Sequence, residues 1–320
     1  MFIENLGLNS GKSSYNFKSG AKSISFNGMP HINSVGKSFK NNIQIVFSDI
    51  DGTISKHSDM MSKKTIDTVD FLHENNVPVV LTTARCYQDT LPILQQFSHR
   101  PDYTIVLQGG GLVNESGNSL FENTISARAG KKLVKWFKSI RQKDKNSHLI
   151  MYFNEQPYAM SGIQFPWKSY APVKQVNSFD DLFESKKQLQ KAIIYKYDAA
   201  RCSDYNQSDV INSFKGAHIL DLDIKPSGLS VLEFQNKWVS KDKAIDFLLR
   251  ALKLEPKNAM VIGDSANDIE MMDFIRKQNG LAVAMGNADD FVKSHANAIT
   301  SHIDEDGFST AVGKIFDTLI

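Results

Sequence analysis

The chain has 320 residues, of which 41% are hydrophobic and 22% charged, values that are ordinary for a soluble globular protein. This length suggests roughly two domains. The formal net charge is +2 and the basic residues are spread along the chain, which gives no indication of a nucleic-acid partner, and the longest apolar runs fall short of the ~20 residues that span a membrane.

Residues 1–42 differ from the rest of the chain, because they are rich in serine, asparagine, glycine and lysine and contain one acid, Glu4. They show no sustained periodicity, so we predict an N-terminal extension that is flexible or loosely packed. A targeting or export signal is the alternative, since transit peptides are also poor in acids and rich in serine. The two cysteines, Cys86 and Cys202, lack metal or redox spacing and favour a reducing, cytoplasmic location.

From residue 43 onwards, apolar runs alternate with segments of helical period, a pattern typical of a parallel α/β sheet. We predict strands at 43–48, 77–81 and 103–107, with helices at 62–75 and 87–97. The same alternation of strands and helices recurs later, with predicted helices at 241–252 and 269–277 and strands at 259–262, 281–285 and 298–300. The sequence therefore predicts an α/β fold with a three-layer, Rossmann-like parallel sheet core, formed by residues 43–119 and 233–320.

Residues 120–232, which lie between these two halves, have a different order of predicted elements. They contain three predicted helix–strand pairs, at 131–140 with 149–153, 179–190 with 192–197, and 208–214 with 218–222. This stretch is long enough to form a domain, so we predict an inserted α/β cap. Aromatic residues between 152 and 167 either belong to its core or line a substrate pocket.

Acidic residues follow two of the predicted core strands at the point where each strand ends. Asp49 and Asp51 come after the first strand, and Asp264 and Asp268 come after the strand at 259–262. Open α/β sheets place ligands at the carboxyl ends of their strands. Carboxylates gathered there repel one another unless a cation lies between them, and oxygen ligands suit a hard ion such as Mg²⁺. We predict that Asp264 is a metal ligand and that Asp268 orients it or a metal-bound water.

The first acidic segment also suggests covalent chemistry on phosphorus. Asp49 would be the nucleophile that forms an aspartyl phosphate. Asp51 would protonate the leaving oxygen and then activate water. Gly52 permits a tight turn and Thr53 braces it, although the same residues can mark an ordinary strand-to-turn transition.

Other polar residues are candidates for holding the phosphoryl group. Thr83 could donate a hydrogen bond to it, with Thr82 as competitor, because alternation turns one of the two away. Lys241 would add a fixed positive charge, with Lys243 as the alternative.

Backbone and amide contacts to the substrate are also candidates. Asn267 could hold Lys241 or the phosphate. The glycines Gly109 and Gly110 either let the backbone approach a substrate or form a flexible turn.

Taken together and in this order, these segments resemble the haloacid dehalogenase superfamily of phosphohydrolases. Within it the chain looks like the Cof-type subclass IIB, which carries a large α/β cap between its second and third motifs. The resemblance covers about residues 43–320 and rests on Asp49-Ile50-Asp51-Gly52-Thr53, Thr83-Ala84-Arg85, Lys241 and Gly263-Asp264-Ser265-Ala266-Asn267-Asp268.

The resemblance implies Mg²⁺-dependent hydrolysis of small phosphate monoesters, with a small phosphorylated metabolite, most often a sugar phosphate, as the partner. It implies that the side chains of Asp49 and Asp264 and the main-chain carbonyl of Asp51 hold the Mg²⁺. Two alternatives stay open. The same core could transfer the phosphoryl group to an alcohol, as a phosphotransferase or mutase, or the cap or extension could serve an effector or regulatory binding protein.

Overall fold

The computed structural model describes residues 30–39, 42–56, 59–160, 172–185, 187–196, 207–219, 221–226 and 231–318. The described residues divide into two compact units, which we call the insert unit (residues 122–239) and the core unit (residues up to 121 and from 240 onwards). Most of the predicted extension, and the aromatic residues between 161 and 167, lie outside the described residues. The roles predicted for extension, core and cap remain proposals.

Strands and helices follow one another along the described parts of the chain. The strands are β1 (Ile45–Asp49), β2 (Val79–Thr82), β3 (Tyr103–Val106), β4 (Gly111–Asn114), β5 (Ser119–Glu122), β6 (Ser147–Phe153), β7 (Gln156–Met160), β8 (Lys174–Val176), β9 (Leu189–Lys196), β10 (Leu222–Pro226), β11 (Val231–Asn236), β12 (Ala259–Gly263), β13 (Leu281–Ala284) and β14 (Ala298–Ile299). The helices are α1 (Ile32–Phe39), α2 (Lys63–Glu74), α3 (Tyr87–Leu94), α4 (Ala127–Lys143), α5 (Asp180–Glu184), α6 (Gln207–Gly216), α7 (Lys241–Leu252), α8 (Ile269–Lys277), α9 (Asp290–Lys293) and α10 (Gly307–Phe316). None of these helices has the length and apolar character needed to cross a membrane.

The core unit is built on a sheet with the strand order β14-β13-β12-β1-β2-β3-β4-β5. Its central strands are parallel, and β4 joins β3 antiparallel. Alternate residues of β1 enter two separate hydrophobic clusters, because successive side chains of a strand point to opposite faces. Val46 packs with α2, α3 and α10, whereas Ile45 and Phe47 pack with α7 and α8. The predicted three-layer α/β core is therefore confirmed.

The insert unit has its own sheet, with the order β10-β11-β9-β6-β7-β8. Its strands pair antiparallel, except for the parallel pair of β7 and β8. Helices α4, α5 and α6 contribute to one hydrophobic cluster with the sheet. At its centre the Trp136 ring lies 5.2 Å from the Phe214 ring and 5.7 Å from the Phe234 ring, measured between centroids.

Two predicted elements of the insert unit are wrong. The helix predicted at 179–190 ends at Glu184, because residues from Leu189 onwards pair with β6 and bury apolar side chains in the core. The strand predicted at 218–222 begins only at Leu222. His218 has a φ of 50° and lies in the turn that follows α6, so it cannot belong to a strand.

Residues 30–39 of the predicted extension pack within the core unit. Ile32 is fully buried in the cluster that contains α10, and α1 contacts both α10 and β14. His31 forms a parallel β-bridge with Ile299, whose backbone N–H donates to the Pro30 carbonyl at 3.3 Å. Residues 30–39 thus cover the β14 edge of the core sheet.

Replacement of Ile32 tests whether α1 contributes to stability. Ile32→Ala should lower the free energy of unfolding by about 2–5 kcal/mol, because it leaves a cavity in a closed cluster. Urea unfolding monitored by circular dichroism measures the change. The matched control is Asn33→Ala, which alters the exposed neighbour. Equal stability of the two variants would show that α1 adds nothing to the core.

Candidate active site

Three adjacent strands of the core sheet bring the predicted site residues to one edge. The parallel strands lie in the order β12-β1-β2, with Ser48 paired to Ile262 and Asp49 paired to Thr82. Their carboxyl ends therefore lie side by side. Asp49 ends β1, and Asp264 directly follows β12.

Lys241 joins the acidic residues of this edge. It is the first residue of α7 and is buried, and its Nζ lies 2.5 Å from Asp49 Oδ1 and 2.7 Å from Asp268 Oδ1. The predicted alternative, Lys243, is an exposed residue of the same helix. The structure thus brings Lys241, rather than Lys243, into contact with the carboxylates.

Asp268 fixes the loop that carries Asp264. Its side chain is fully buried, and its Oδ2 accepts hydrogen bonds from the backbone N–H groups of Asp264 and Ser265, both at 3.1 Å. Asp268 therefore contacts Lys241 through one oxygen and the loop through the other. This geometry agrees with the orienting role that the sequence suggested.

Asn287 is a residue of this site to which the sequence analysis gave no role. Its amide Nδ2 donates to the Gly52 carbonyl at 2.8 Å and to Asp264 Oδ2 at 3.3 Å, while Thr53 Oγ1 donates to Asp264 Oδ1 at 3.4 Å. Gly52 has a φ of 85°, and a Cβ atom there would overlap the Asp264 carboxylate. Asn287 follows β13, in a segment that contains no acid before Asp289. The local sequence therefore gives no sign that Asn287 contacts the acidic cluster.

The cluster carries more negative than positive charge. Burial, and then the charge of Asp268, raise the pKa of Asp49 well above its usual range. The same two causes raise the pKa of Asp264 to about 7. Burial alone would lower the pKa of Lys241, but Asp268 and Asp49 raise it above its usual value, so this ammonium stays charged. One ammonium faces three carboxylates, and a further cation would relieve their repulsion.

The donor atoms of the cluster suit a hard metal ion. Asp49, Asp264 and Asp268 each offer one carboxylate oxygen, and these oxygens lie within 4.8 Å of one another. A set of carboxylate oxygens is typical of Mg²⁺ or Ca²⁺ sites. The geometry thus brings together the predicted ligands Asp49 and Asp264, with Asp268 beside them. The Asp51 carboxylate instead bonds to Arg85.

Arg85 is a second residue to which the sequence analysis gave no role. Its Nε donates to Asp51 Oδ2 at 2.9 Å and its Nη2 donates to Asp51 Oδ1, a two-pronged contact between guanidinium and carboxylate. These hydrogen bonds and the charges of Asp51 and Asp59 outweigh burial and raise the pKa of Arg85 further above its usual value. The partners are 34 positions apart, which explains why the pair is not evident from local sequence.

The two threonines that end β2 face different surroundings. Thr82 Oγ1 donates to Met271 Sδ at 3.7 Å, so its side chain points into the layer that contains α8. Thr83 is buried, and its Oγ1 accepts the backbone N–H of Arg85 at 3.1 Å. Thr82 thus has a partner in the α8 layer, and Thr83 stays the predicted contact to the phosphoryl group.

The remaining candidates have local structural partners. Gly109 has a φ of 98°, and a Cβ atom there would overlap the carbonyl of Ser240, the residue before Lys241. The Gly110 N–H donates to the Leu107 carbonyl at 3.0 Å. Asn267 accepts a hydrogen bond from Ser265 Oγ at 2.6 Å.

Two of these findings bear on predicted contacts. Asp49 and Asp268, rather than Asn267, hold Lys241. The glycine at 109 is required where the backbone of the 107–110 turn meets the start of α7, so this glycine is not explained by flexibility alone.

A family model described as haloacid dehalogenase-like hydrolase matches residues 46–312 of this chain. The chain belongs to the haloacid dehalogenase-like hydrolase family. The resemblance identified in the sequence, and the prediction of an enzyme of the haloacid dehalogenase phosphatase type, are thereby confirmed.

Similar proteins cover nearly the same length. Phosphatase YwpJ of Bacillus subtilis is 22% identical over 289 residues, which cover 83% of this chain and 97% of that protein. The phosphoglycolate phosphatase of Methanobrevibacter smithii is 23% identical over 277 residues, which cover 85% and 98%. The solved structure of the subclass IIB sugar phosphatase BT4131 has a TM-score of 0.68 at 20% identity and covers 84% of this chain and 97% of that one. Its fold agrees with the predicted Cof-type subclass IIB.

Replacement of Gly109 tests the packing at the start of α7. Gly109→Ala should destabilise the protein by about 1–3 kcal/mol, since it combines a left-handed backbone with steric overlap at Ser240. The overlap should also displace the start of α7, and Lys241 with it, so turnover should fall. The control is Gly216→Ala, because a Cβ atom there meets nothing within 4 Å. Thermal melts of both variants decide the matter, and a neutral Gly109→Ala would contradict this interpretation.

Replacement of Asp264 tests the charge imbalance of the site. The pKa of Asp264 is about 7 in the folded protein and ~4 in the unfolded chain. Ionisation of this carboxyl group therefore destabilises the folded protein, and the loss of stability grows as the pH rises from the unfolded-state pKa to the folded-state pKa. Metal-free Asp264→Asn should therefore melt above wild type, by roughly 2–4 °C per kcal/mol of relieved repulsion. The difference should widen between pH 4 and 7.

The same variant should gain less in melting temperature than wild type when Mg²⁺ is added, because it lacks one of the predicted oxygen ligands. Melting curves with and without Mg²⁺ test this expectation. The control is Asp246→Asn, which changes an acid paired with Arg250 on α7. A large loss of stability in metal-free Asp264→Asn would instead show that Asp264 is a structural residue.

Proposed function

We propose that the protein is a Mg²⁺-dependent phosphatase that hydrolyses small phosphate monoesters, sugar phosphates foremost, through an aspartyl-phosphate intermediate. The observation that carries this proposal is the contact of the buried Lys241 with Asp49 and Asp268, beside Asp264 at the carboxyl edge of the sheet. The names of its relatives, which include a phosphoglycolate phosphatase and a sugar phosphatase, support a small phosphorylated substrate.

Asp49 and Asp264, with the main-chain carbonyl of Asp51, would hold the Mg²⁺, and Asp268 would keep Asp264 in place. When bound, the ion supplies positive charge that offsets the charge of the phosphate and of the carboxylates. Lys241 adds a fixed charge that needs no reorganisation during the reaction, because its ammonium is already held by two carboxylates.

The reaction would proceed in two steps, with Asp49 as the nucleophile. In the first, an Asp49 carboxylate oxygen bonds to phosphorus, the bond to the leaving oxygen breaks, and Asp51 donates a proton to that oxygen. In the second, water attacks phosphorus, Asp51 takes a proton from it, and the Asp49 carboxylate leaves. Asp51 suits such alternation, because its side chain is one-third exposed while that of Asp49 is 5% exposed.

The remaining contacts to the phosphoryl group are assigned to residues near this edge. Thr83 would donate its hydroxyl hydrogen to a phosphoryl oxygen, since its Oγ1 already accepts from Arg85. Gly110 and Asn267 would contact the substrate on the neighbouring loops. The insert unit, which we assign as the cap, would select among leaving groups, and a panel of phosphorylated metabolites scored by phosphate release would identify the substrate.

The test of this proposal separates the two aspartates by role, with 4-nitrophenyl phosphate and Mg²⁺ as reagents. Asp49→Asn should abolish turnover and yield no phosphoprotein. Asp51→Asn should still phosphorylate Asp49, because an activated leaving group scarcely needs protonation, and then stall for lack of a base. The expected signature is a burst of nitrophenolate near one equivalent and an acyl phosphate detected by mass spectrometry.

Two further measurements complete this test. EDTA should remove activity from the wild type, and Asp246→Asn should behave as wild type. A phosphoprotein in Asp49→Asn, or wild-type steady-state turnover in Asp51→Asn, would contradict the assignment of the two residues.

A further inference from the structure

The Asp51–Arg85 pair belongs to a larger hydrogen-bond network. The Nη2 nitrogen of Arg85 donates not only to Asp51 but also to Asp59 Oδ1 at 2.7 Å. Its Nη1 donates to the Asp89 carbonyl at 3.1 Å. The guanidinium is a planar group with five N–H donors, and here all three of its nitrogens are engaged. The orientation of its plane is thereby fixed, and with it the direction of the fork that holds Asp51.

Asp59 is itself held from a third segment of the core unit. Its carbonyl accepts a hydrogen bond from Gln96 Nε2 at 2.7 Å, and the Gln96 Oε1 accepts the Met61 N–H at 3.1 Å. Asp59 has a φ of 58°, a left-handed conformation that aspartate tolerates better than most residues. The Asp59 and Arg85 side chains are 12% and 9% exposed, so solvent competes little for their contact.

We propose that Asp59 is a positioning residue for the proton transfers of Asp51, and that it acts through Arg85. This inference rests on the proposed function. A bidentate contact sets the direction in which a carboxylate oxygen points, and a proton donor must lie within hydrogen-bond reach of the leaving oxygen. Loss of the Asp59 contact removes one of the acceptors that fix the guanidinium, and the orientation of the Asp51 carboxylate then loosens. Asp59 touches neither substrate nor metal in this proposal.

The contribution of such a residue depends on the leaving group. An activated phenol leaves without assistance, whereas a poorly activated phenol needs the proton from Asp51. The experiment therefore measures kcat/KM of full-length enzyme with Mg²⁺ for aryl phosphates of graded phenol acidity, since kcat/KM covers events up to phosphorylation of Asp49. Asp59→Ala should reduce kcat/KM by about threefold or less for 4-nitrophenyl phosphate and by about tenfold or more for phenyl phosphate, part of the 10²–10⁴-fold that acid catalysis contributes.

Two matched variants sharpen this test. Asp59→Asn keeps an oxygen that can accept from Arg85, so its dependence on the leaving group should lie between wild type and Asp59→Ala, and it carries the test if Asp59→Ala fails to fold. Asp70→Asn removes an acid of the same unit that contacts His99, and it should match wild type across the series.

Each outcome has a distinct meaning. A steeper dependence on phenol acidity in the Asp59 variants supports the inference. An equal loss for all aryl phosphates, or no loss, overturns it and assigns Asp59 a structural role, while wild-type phosphate release keeps the proposed function intact. If wild type itself releases no phosphate from any member of the series, the proposed function fails and this inference falls with it.

Discussion

The mutual repulsion of buried carboxylates is the constraint on which the rest of this structure depends. Parallel strands bring Asp49 and Asp264 to one sheet edge, and Asp268 lies within reach of both. The protein partly offsets this charge with Lys241, whose position requires that α7 begin at the same edge. The close approach of the 107–110 turn to Ser240 follows from that requirement. Because the carboxylates repel one another when no cation lies between them, cation binding would relieve this repulsion.

Two aspartates separated by one residue have opposite environments in this fold. Asp49 ends a buried strand and contacts the buried ammonium of Lys241, whereas Asp51 lies two residues later, is one-third exposed and contacts the Arg85 guanidinium. The positive φ of Gly52 turns the chain directly after Asp51. A nucleophile benefits from rigid surroundings, while a group that gains and loses protons needs access to solvent. The local backbone thus gives identical side chains different environments, which suit the two roles that we propose.

The sequence predicted the core better than the insert unit, for physical reasons. Strands buried on both faces, such as β1 and β12, are continuous apolar runs, and the acids that end them are easily located. The short strands β7 and β8 mix polar and apolar residues and are held by pairing rather than propensity, so they were missed. The contacts of Arg85 and Asn287 were not predicted, because their partners are distant in sequence. Metal ligation, substrate contacts and the cap remain predictions.

Residues 30–39 also bear on self-association of the protein. Residues 30–39 precede the matched region, which begins at residue 46, yet they cover the outer strand of the core sheet. An uncovered outer strand offers free backbone groups to any other strand, and such edges promote self-association. The contact between Pro30 and Ile299 occupies one of these groups, and α1 shields the apolar surface of α10 beside it. A shortened chain that starts at the matched region would thus expose the β14 edge of the core sheet, and this edge would tend to pair with a strand of another molecule.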